Sequence, residues 1–511
     1  MKIHWLLCLL TALIGCKPQA PEPSPAAARP PNIVLFYVDD LGYGDLGCYG
    51  ATGVATPHAD RLAREGIRFT DAHSAAATCT PSRYALLTGT FAFRSQAAVL
   101  PGDAPLLIRP GTPTLPTLLQ QAGYRTGVVG KWHLGLGSGN TDWNGEVRPG
   151  PLEIGFDYSF LLPATGDRVP TVYLEDHRVV GLTPEDSLRI SYRTPFPGVP
   201  TGMDQPERLR QAADPQHSQA IVNGISRIGY QTGGASALWT DEDFPDIFTD
   251  KARAFIASAA DQPFFLFFSF HDIHVPRLPH PRFQGVSEMG PRGDAIAQMD
   301  WMTGAILEEL QRQGLAESTL VLFTSDNGPV LNDGYEDQAV ARLGSHRPAG
   351  PFRGGKYSAF EAGTRVPLIA HWPGTITPGE SQALISQTDF FASLATLAGV
   401  PLPEGAAPDS QDLSQALTRA GQPGSTLLLE EAMTLALRQG PYKYIPPSAL
   451  PQAPAWLQQK GIEAGLSPLP QLYHLEEDPG ETHNLAPQMP ERVERMQQLL
   501  DSLVAPKNTK P

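Results

Sequence analysis

Positive charge is scarce in this sequence of 511 residues, which has 38 lysines and arginines against 53 aspartates and glutamates. The formal net charge of −15 argues against general nucleic-acid binding, which needs a basic surface facing the phosphates. It does not exclude an anionic substrate, because a local site can be positive inside an acidic protein. We therefore expect no nucleic-acid partner.

Long apolar runs are also missing near the N-terminus. Lys2 precedes an apolar run over 5–14, which is too short to span a bilayer as a stable anchor and is typical of an export signal. Residues 13–16 are Leu-Ile-Gly-Cys and resemble a bacterial lipobox, which implies cleavage before Cys16 and a lipid on that residue. An ordinary secretory signal with a stray cysteine is the alternative.

The stretch after Cys16 is rich in proline and alanine, which predicts an extended tether. We therefore expect a signal peptide over 1–15, a lipidated tether over 16–30, and an exported lipoprotein in the periplasm or at the cell surface. Lys17 is not the aspartate that directs bacterial lipoproteins to stay in the inner membrane. In a diderm bacterium the expected destination is thus the outer membrane.

The remainder predicts a folded chain, since 41% of the residues are hydrophobic despite 51 prolines and 49 glycines. Alternating strand and helix patterns predict an α/β sheet covered on both faces. Thr56 and Thr112 are the candidate N-caps of the first two helices. Continuous apolar runs predict buried parallel strands at 33–38, 126–129, 264–270, 320–324 and 366–370, and helical patterns lie at 57–66, 113–122 and 300–311.

Two later segments depart from this alternation. Residues 163–245 are rich in Pro, Gly, Arg and Tyr, and we interpret them as loops inserted over one edge of the sheet, where substrate specificity often resides. After residue 400 the pattern predicts strands at 442–445 and 472–475 and a final amphipathic helix at 490–503.

Residues 79–83, Cys-Thr-Pro-Ser-Arg, form the most informative motif. They place a thiol, a turn-forming proline, a hydroxyl and a permanent cation within five residues, a grouping that suits a nucleophile beside an anion site. The tail of the following segment, Leu-Leu-Thr-Gly at residues 86–89, predicts a short helical turn. A chance sequence in a loop would be the better interpretation if the motif stood alone.

Acidic pairs follow two of the predicted strands. Asp39 and Asp40 come directly after the first, and Asp326 and Asn327 come after the fourth. Adjacent carboxylates beside a buried strand are costly unless something neutralises them, and ligands in open α/β sheets lie at the carboxyl ends of strands. Either pair alone would more often cap a turn. Together they favour a Ca²⁺ or Mg²⁺ site, because the donors are all oxygen.

Three further segments contain candidate residues with a charge or a titratable ring. Lys131 and His133 leave a strand two residues apart and would point the same way if that stretch stays extended. His271 and His274 follow the third strand, and their spacing is a weak indication of zinc. Lys356 follows a pair of glycines, which is also typical of a plain turn. Each alone would more often be a surface or structural residue.

The segments 79–89, 123–133 and 472–485 resemble the signatures of type I sulfatases, members of the alkaline phosphatase superfamily. The resemblance runs in the family's order from about residue 32 to 485. It implies a large mixed, mostly parallel sheet flanked by helices over 31–400, and a smaller C-terminal sheet-plus-helix subdomain over 401–511.

The same resemblance implies that Cys79 is oxidised to Cα-formylglycine by a sulfatase-maturing enzyme and acts as a hydrated aldehyde. Arg83 would stabilise this diol. Cys8 would leave with the signal peptide, so Cys48 would be the one thiol of the mature protein. The implied ligands of one Ca²⁺ ion are Asp39, Asp40, Asp326, Asn327 and residue 79.

Roles in turnover are implied in the same way. Asp326 would be the base for the attacking hydroxyl, and His274 would protonate the leaving oxygen. Lys131 and Lys356 would neutralise the transferring sulfo group. His133 would remove the proton whose loss expels sulfate and restores the aldehyde.

The implied substrate is a sulfated carbohydrate or aryl sulfate. Residues 166–170 and 224–230 look similar to bacterial sulfatases acting on galactose-type residues, and Arg168, His177 and Arg227 are the candidate sugar contacts. Two alternatives remain open: a formylglycine-dependent phosphonate or phosphate-ester hydrolase, and a surface glycan-binding lipoprotein without catalysis.

Overall fold

The computed structural model describes residues 30–259, 261–450 and 453–505. The predicted signal peptide and nearly all of the predicted tether lie outside these ranges. None of the helices in the described ranges has the length and apolarity needed to cross a membrane.

The described chain alternates strands and helices up to residue 400 and then forms a separate small sheet. The helices are α1 Pro57–Glu65, α2 Cys79–Thr88, α3 Leu115–Gln121, α4 Phe244–Ser258, α5 Pro291–Arg312, α6 Phe390–Leu397, α7 Ser414–Thr418, α8 Ala455–Gln459 and α9 Pro490–Val504. The strands are β1 Asn32–Val38, β2 Ile67–Phe69, β3 Ala72–His73, β4 Arg125–Lys131, β5 Tyr158–Leu162, β6 Leu174–Glu175, β7 Arg178–Val179, β8 Arg189–Ser191, β9 Ala220–Val222, β10 Ile225–Arg227, β11 Tyr230–Thr232, β12 Phe264–Ser269, β13 Thr319–Ser325, β14 Leu368–His371, β15 Gly379–Ser381, β16 Ile385–Ser386, β17 Leu427–Glu431, β18 Leu435–Gln439, β19 Tyr442–Ile445 and β20 Gln471–His474.

The main sheet has ten strands in the order β15-β2-β14-β13-β1-β12-β4-β5-β6-β7. Its centre, from β13 to β5, is parallel. Successive side chains of a strand face opposite sides, so Leu35 enters the core under α2, α3 and α6, whereas Phe36 enters the core under α1, α4 and α5. Both faces are buried, which is why these strands are continuous apolar runs. The predicted fold class is confirmed.

The predicted direction of one strand of the main sheet is wrong. The run at 366–370 was expected to be parallel, but β14 pairs antiparallel with β13. An apolar run shows that a strand is buried on both faces and carries no information about its direction.

The predicted helix caps also need correction. The helix expected from residue 113 begins at Leu115, and the cap is Thr114, whose hydroxyl accepts from the Thr117 N–H, instead of Thr112. Thr56 does precede α1, but its hydroxyl donates to Asp60 Oδ1 and accepts from the Gly47 N–H instead of capping. The helix predicted over 300–311 is the C-terminal half of α5.

The segment 163–245 consists mainly of loops with six short strands. Strands β6 and β7 extend the main sheet beyond β5, and the pairs β8/β11 and β9/β10 form two small ribbons. Near the C-terminus, β17-β18-β19-β20 form an antiparallel sheet. Met496 and Leu500 of α9 pack on its Leu437 and Tyr444.

Candidate active site

Four neighbouring parallel strands deliver the polar residues to one edge of the sheet. Asp39 and Asp40 follow β1, Asp326 and Asn327 follow β13, His271 and His274 follow β12, and Lys131 ends β4. Since β13, β1, β12 and β4 are adjacent, their carboxyl ends form a continuous site, as open α/β sheets generally do.

Cys79 is the first residue of α2 and is 2% exposed. The helix is longer than the short turn predicted near its end, and it tolerates Pro81 because first-turn N–H groups need no intrahelical partner. The positive end of the helix dipole therefore points at the Cys79 side chain and favours negative charge there. Cys79 and Cys48 are both free among the described cysteines.

His133 faces this cysteine in a defined tautomer. Its Nδ1 lies 3.3 Å from Cys79 Sγ, and its Nε2 lies 2.8 Å from the carbonyl oxygen of Leu100. Because a carbonyl only accepts, Nε2 carries the proton and Nδ1 presents a lone pair to residue 79. Burial, and then the charge of Lys131, lower the pKa of His133, so the ring is neutral and its Nδ1 is unprotonated.

Three buried carboxylates converge beside the cysteine. One oxygen from each of Asp39, Asp40 and Asp326 lies within 4.8 Å of the others. Burial, and next the charge of Asp326, raise the pKa of Asp39, and burial raises that of Asp40. Asp326 behaves differently: Arg83 donates to it at 2.7 and 3.1 Å and, despite burial, lowers its pKa. Burial therefore outweighs the neighbouring positive charges in setting the pKa of Asp39 and Asp40, whereas at Asp326 the positive charges outweigh burial.

The donor set fits a hard cation. Asp39 Oδ1 and Asn327 Oδ1 are buried and have no hydrogen-bond partner within the described ranges. Asn327 directs its amide N–H to Asp40 Oδ1 at 2.8 Å, which leaves its carbonyl oxygen available. Unpartnered buried oxygens cost free energy, and Ca²⁺ or Mg²⁺ would satisfy them.

Two lysines flank the carboxylates. Lys131 pairs with Asp39. Lys356 Nζ lies 2.9 Å from Asp40 Oδ2 and 3.1 Å from Asp333 Oδ2. The sequence pattern did not reveal Asp333, because it stands in a loop whose one local signal is an Asp-Gly turn.

His274 is buried near Asp40 and Asp333, with one ring nitrogen and one oxygen of each carboxylate within 4.8 Å of one another. Its Nδ1 lies 2.7 Å from the carbonyl oxygen of Val275, so Nδ1 donates and Nε2 is the free nitrogen. Burial, and then Lys356 and Lys131, lower the pKa of His274. His271 is also buried and packs edge-on against Phe244, and in the described part of the chain neither of its ring nitrogens has a hydrogen-bond partner.

Four of these residues, Cys79, His274, Asp333 and Lys356, line a cavity of about 730 Å³. Arg168, a predicted sugar contact, lines it together with Asp167 and His217, which the sequence pattern did not reveal. Arg168 Nη1 donates to Asp167 at 2.8 Å, and His217 Nε2 lies 3.4 Å from the same carboxylate. Burial alone would lower the pKa of His217, but Asp167 and Asp214 outweigh it and raise that pKa.

The other two candidate sugar contacts lie outside the cavity lining. His177 Nε2 is 3.0 Å from Glu153 Oε1 at the sheet edge. Arg227 is fully buried, forms a bidentate pair with Asp241 at 2.9 and 2.7 Å and donates to the Gly166 carbonyl. Arg227 therefore holds the loop that carries Arg168.

Fold and site together define a hydrolase of anionic esters, and known proteins give the class. The Sulfatase family model matches residues 31–400. The N-acetylgalactosamine-6-O-sulfatase of Bacteroides thetaiotaomicron is 48% identical over 502 residues, covering 98% of each chain. Human arylsulfatase A is 34% identical over 495 residues, covering 93% of this chain and 88% of that protein. A solved structure from work on glycosaminoglycan metabolism by B. thetaiotaomicron superposes with a TM-score of 0.91 at 49% identity, over 93% of this chain and 99% of that one. The chain belongs to the sulfatase family and is a sulfatase.

Proposed function

We propose that this sulfatase removes the 6-O-sulfate from N-acetylgalactosamine-type residues of a sulfated glycan, using formylglycine at position 79 and Ca²⁺. The observation that carries the chemistry is Cys79 at the positive end of α2, in the lining of the cavity and facing the free Nδ1 of His133. The sugar and the 6-position are inferred from the Bacteroides relative, which is 48% identical over 98% of both chains.

Residue 79 is the proposed nucleophile. A thiol beside a neutral histidine could attack a carbon atom, but the atom attacked in a sulfate ester is sulfur. A thiol also has no hydroxyl on the same carbon whose deprotonation could release sulfate afterwards. Formylglycine, formed from Cys79 by a maturing enzyme, supplies two geminal hydroxyls when hydrated. Arg83 holds Asp326 ionised beside this position, so its carboxylate can accept the proton of the attacking hydroxyl. His133 Nδ1 can accept the proton of the second hydroxyl when sulfate departs.

Asp39, Asp40, Asp326 and Asn327 would hold the Ca²⁺ together with residue 79. The ion would supply positive charge that lowers the pKa of a bound hydroxyl and polarises a sulfate oxygen. This chain's contribution is the fixed set of oxygens and the ion pairs from Lys131, Lys356 and Arg83 that orient the three carboxylates.

The remaining groups bind and orient the ester. Lys131 and Lys356 provide fixed positive charge where the sulfo group would lie. An anionic sulfate between them offsets the two charges that lower the pKa of His274, so that His274 Nε2 can hold the proton for the leaving oxygen. Arg168, with Asp167 and His217, is the proposed contact to the sugar hydroxyls on the adjoining wall.

The substrate is tested by kcat/KM values for a matched set: the 6-sulfates of N-acetylgalactosamine, galactose and N-acetylglucosamine, N-acetylgalactosamine 4-sulfate, and galactose 6-phosphate. The proposal expects N-acetylgalactosamine 6-sulfate to lead by about tenfold or more. Faster cleavage of the phosphate ester would favour the alternative hydrolase, and faster cleavage of the 4-sulfate would overturn the assigned position.

The proposed location is the outer membrane or cell surface, through a lipid on Cys16, where sulfated glycans are accessible. Mass spectrometry of the mature N-terminus tests it: a diacylglyceryl group on Cys16 is expected, and the Cys16→Ala variant should be released from the membrane fraction. An unmodified N-terminus beyond residue 16 would contradict it.

A further inference from the structure

Large apolar side chains are exposed at ten positions among the described residues, and three of them line the active-site cavity. Val99, Met433 and Trp456 are 37%, 36% and 38% exposed. They come from three distant parts of the chain, yet all three line the same cavity. Exposed apolar side chains scattered singly need no explanation, but their convergence on a cavity indicates a binding surface.

Trp456 is the one aromatic residue of this group, and its surroundings hold it in place. It lies on α8, whose next residue, Leu457, is fully buried and anchors the helix. The Trp456 ring packs edge-on against Tyr357 with centroids 5.1 Å apart. Lys460, one turn further on, is fixed by Asp214 at 3.1 Å and lies 5.9 Å from the Trp456 ring centroid. A fixed aromatic face loses little conformational entropy on binding.

The cavity is also divided chemically. The buried part of its lining carries Cys79, His274, Lys356 and the polar set around Arg168, whereas Val99, Met433 and Trp456 are its exposed apolar lining residues. Pockets of about 300–1,000 Å³ enclose drug-sized ligands, and a single sulfated sugar is smaller than a drug-sized ligand. At about 730 Å³, the cavity is larger than the sulfated ring requires.

We propose that Trp456 is the platform of a second subsite, on which the sugar joined to the sulfated residue stacks through its C–H face. The substrate class is then an oligosaccharide instead of a free sulfated monosaccharide. This inference rests on the proposed function, because it assumes that the sulfated ring binds beside the buried polar residues of the cavity. An aromatic face binds the apolar face of a pyranose ring because both surfaces are removed from water. Such stacking depends little on the configuration of the sugar hydroxyls.

The test compares kcat/KM for a 6-sulfated disaccharide with that for the matching monosaccharide in the wild type, Trp456→Ala and Trp456→Phe. Wild type should prefer the disaccharide by about tenfold or more. Trp456→Ala should bring this ratio close to one, through KM for the disaccharide, and Trp456→Phe should keep an intermediate ratio. Leu469→Ala, at a residue that is 68% exposed and outside the cavity lining, is the control and should keep the wild-type ratio.

Each failure is distinguishable. Wild type that cleaves neither sulfated substrate would overturn the proposed function. Wild type that cleaves both equally well, or a Trp456→Ala variant that melts normally and keeps the preference, would overturn the second subsite while leaving the proposed function intact. If Trp456→Ala fails to fold, an unchanged ratio in Trp456→Phe together with unchanged KM for the disaccharide would count against the proposal.

Discussion

The sulfur of Cys79 lies 3.3 Å from Nδ1 of His133, while the opposite nitrogen of that ring lies 2.8 Å from the Leu100 carbonyl oxygen. The carbonyl fixes the tautomer before any substrate arrives, so the lone pair always faces residue 79. A carbonyl group thus sets the position and tautomer of the ring that is proposed to accept a proton from residue 79.

Replacing His133 by alanine should therefore lower kcat by about 10²- to 10⁴-fold, the usual contribution of a general base, because the proton of residue 79 loses its acceptor. The measurement is steady-state turnover of the sulfated substrate, with melting temperature as the folding check. His177→Ala is the matched control, since that ring bonds Glu153 outside the cavity, and it should leave kcat near the wild-type value. Equal losses in the two variants would contradict the assigned role.

Removing the cation should cost both activity and stability. A chelator leaves three buried carboxylates facing one another, so activity should be lost and the melting temperature should fall by several degrees. Added Ca²⁺ should restore both. A melting temperature that is unaffected by chelator and by Ca²⁺ would mean that the cluster holds no ion.

Asp333 should matter through Lys356. The lysine is held between Asp40 and Asp333, so Asp333→Asn removes one of its two carboxylate partners and should lower kcat/KM by about tenfold. Asp333→Glu should recover part of the loss if position is what counts. Asp246→Asn removes a carboxylate paired with Arg282 at the surface and should have little effect on kcat/KM.

Stability should depend on pH through Glu431. Burial raises its pKa from 4.5 to about 7, although N–H groups of Phe93 and Ala92 partly oppose this. The folded state then binds more protons than the unfolded state between these values, so the contribution to stability is present below pH 4.5 and is lost as the pH rises to about 7. Melting temperatures across this window should fall less steeply in Glu431→Gln, whose side chain stays neutral. A parallel decline in the variant would assign the dependence to other groups.

Prediction from sequence succeeded where the information is local. Asp39 and Asp326 each follow a continuous apolar strand, and parallel strands must end at one edge, so their meeting follows from pattern alone. Asp333 and Trp456 have no such pattern. Each reaches the site through a contact with a distant partner, Lys356 or Tyr357, that only the fold creates.

The loop-rich segment 163–245 gives a second example of this limit of prediction from local sequence. Arg168 and Arg227 look equivalent in sequence, as arginines near glycines in a loop-rich segment. Asp241 captures Arg227 in the interior, whereas Arg168 pairs with Asp167 on the cavity wall. The position of the acidic partner decides which arginine lines the cavity. The sequence around each arginine does not reveal that position.

The central claim is that residue 79 does not function as cysteine. The direct measurement is the mass of the tryptic peptide 69–83 from protein made in a host with a competent maturing enzyme, alongside turnover of the same preparation. The account predicts a peptide that has lost one sulfur and two hydrogens and gained one oxygen, in a fraction that rises in proportion to activity. Full activity in a preparation whose peptide carries only unmodified Cys79 would contradict it.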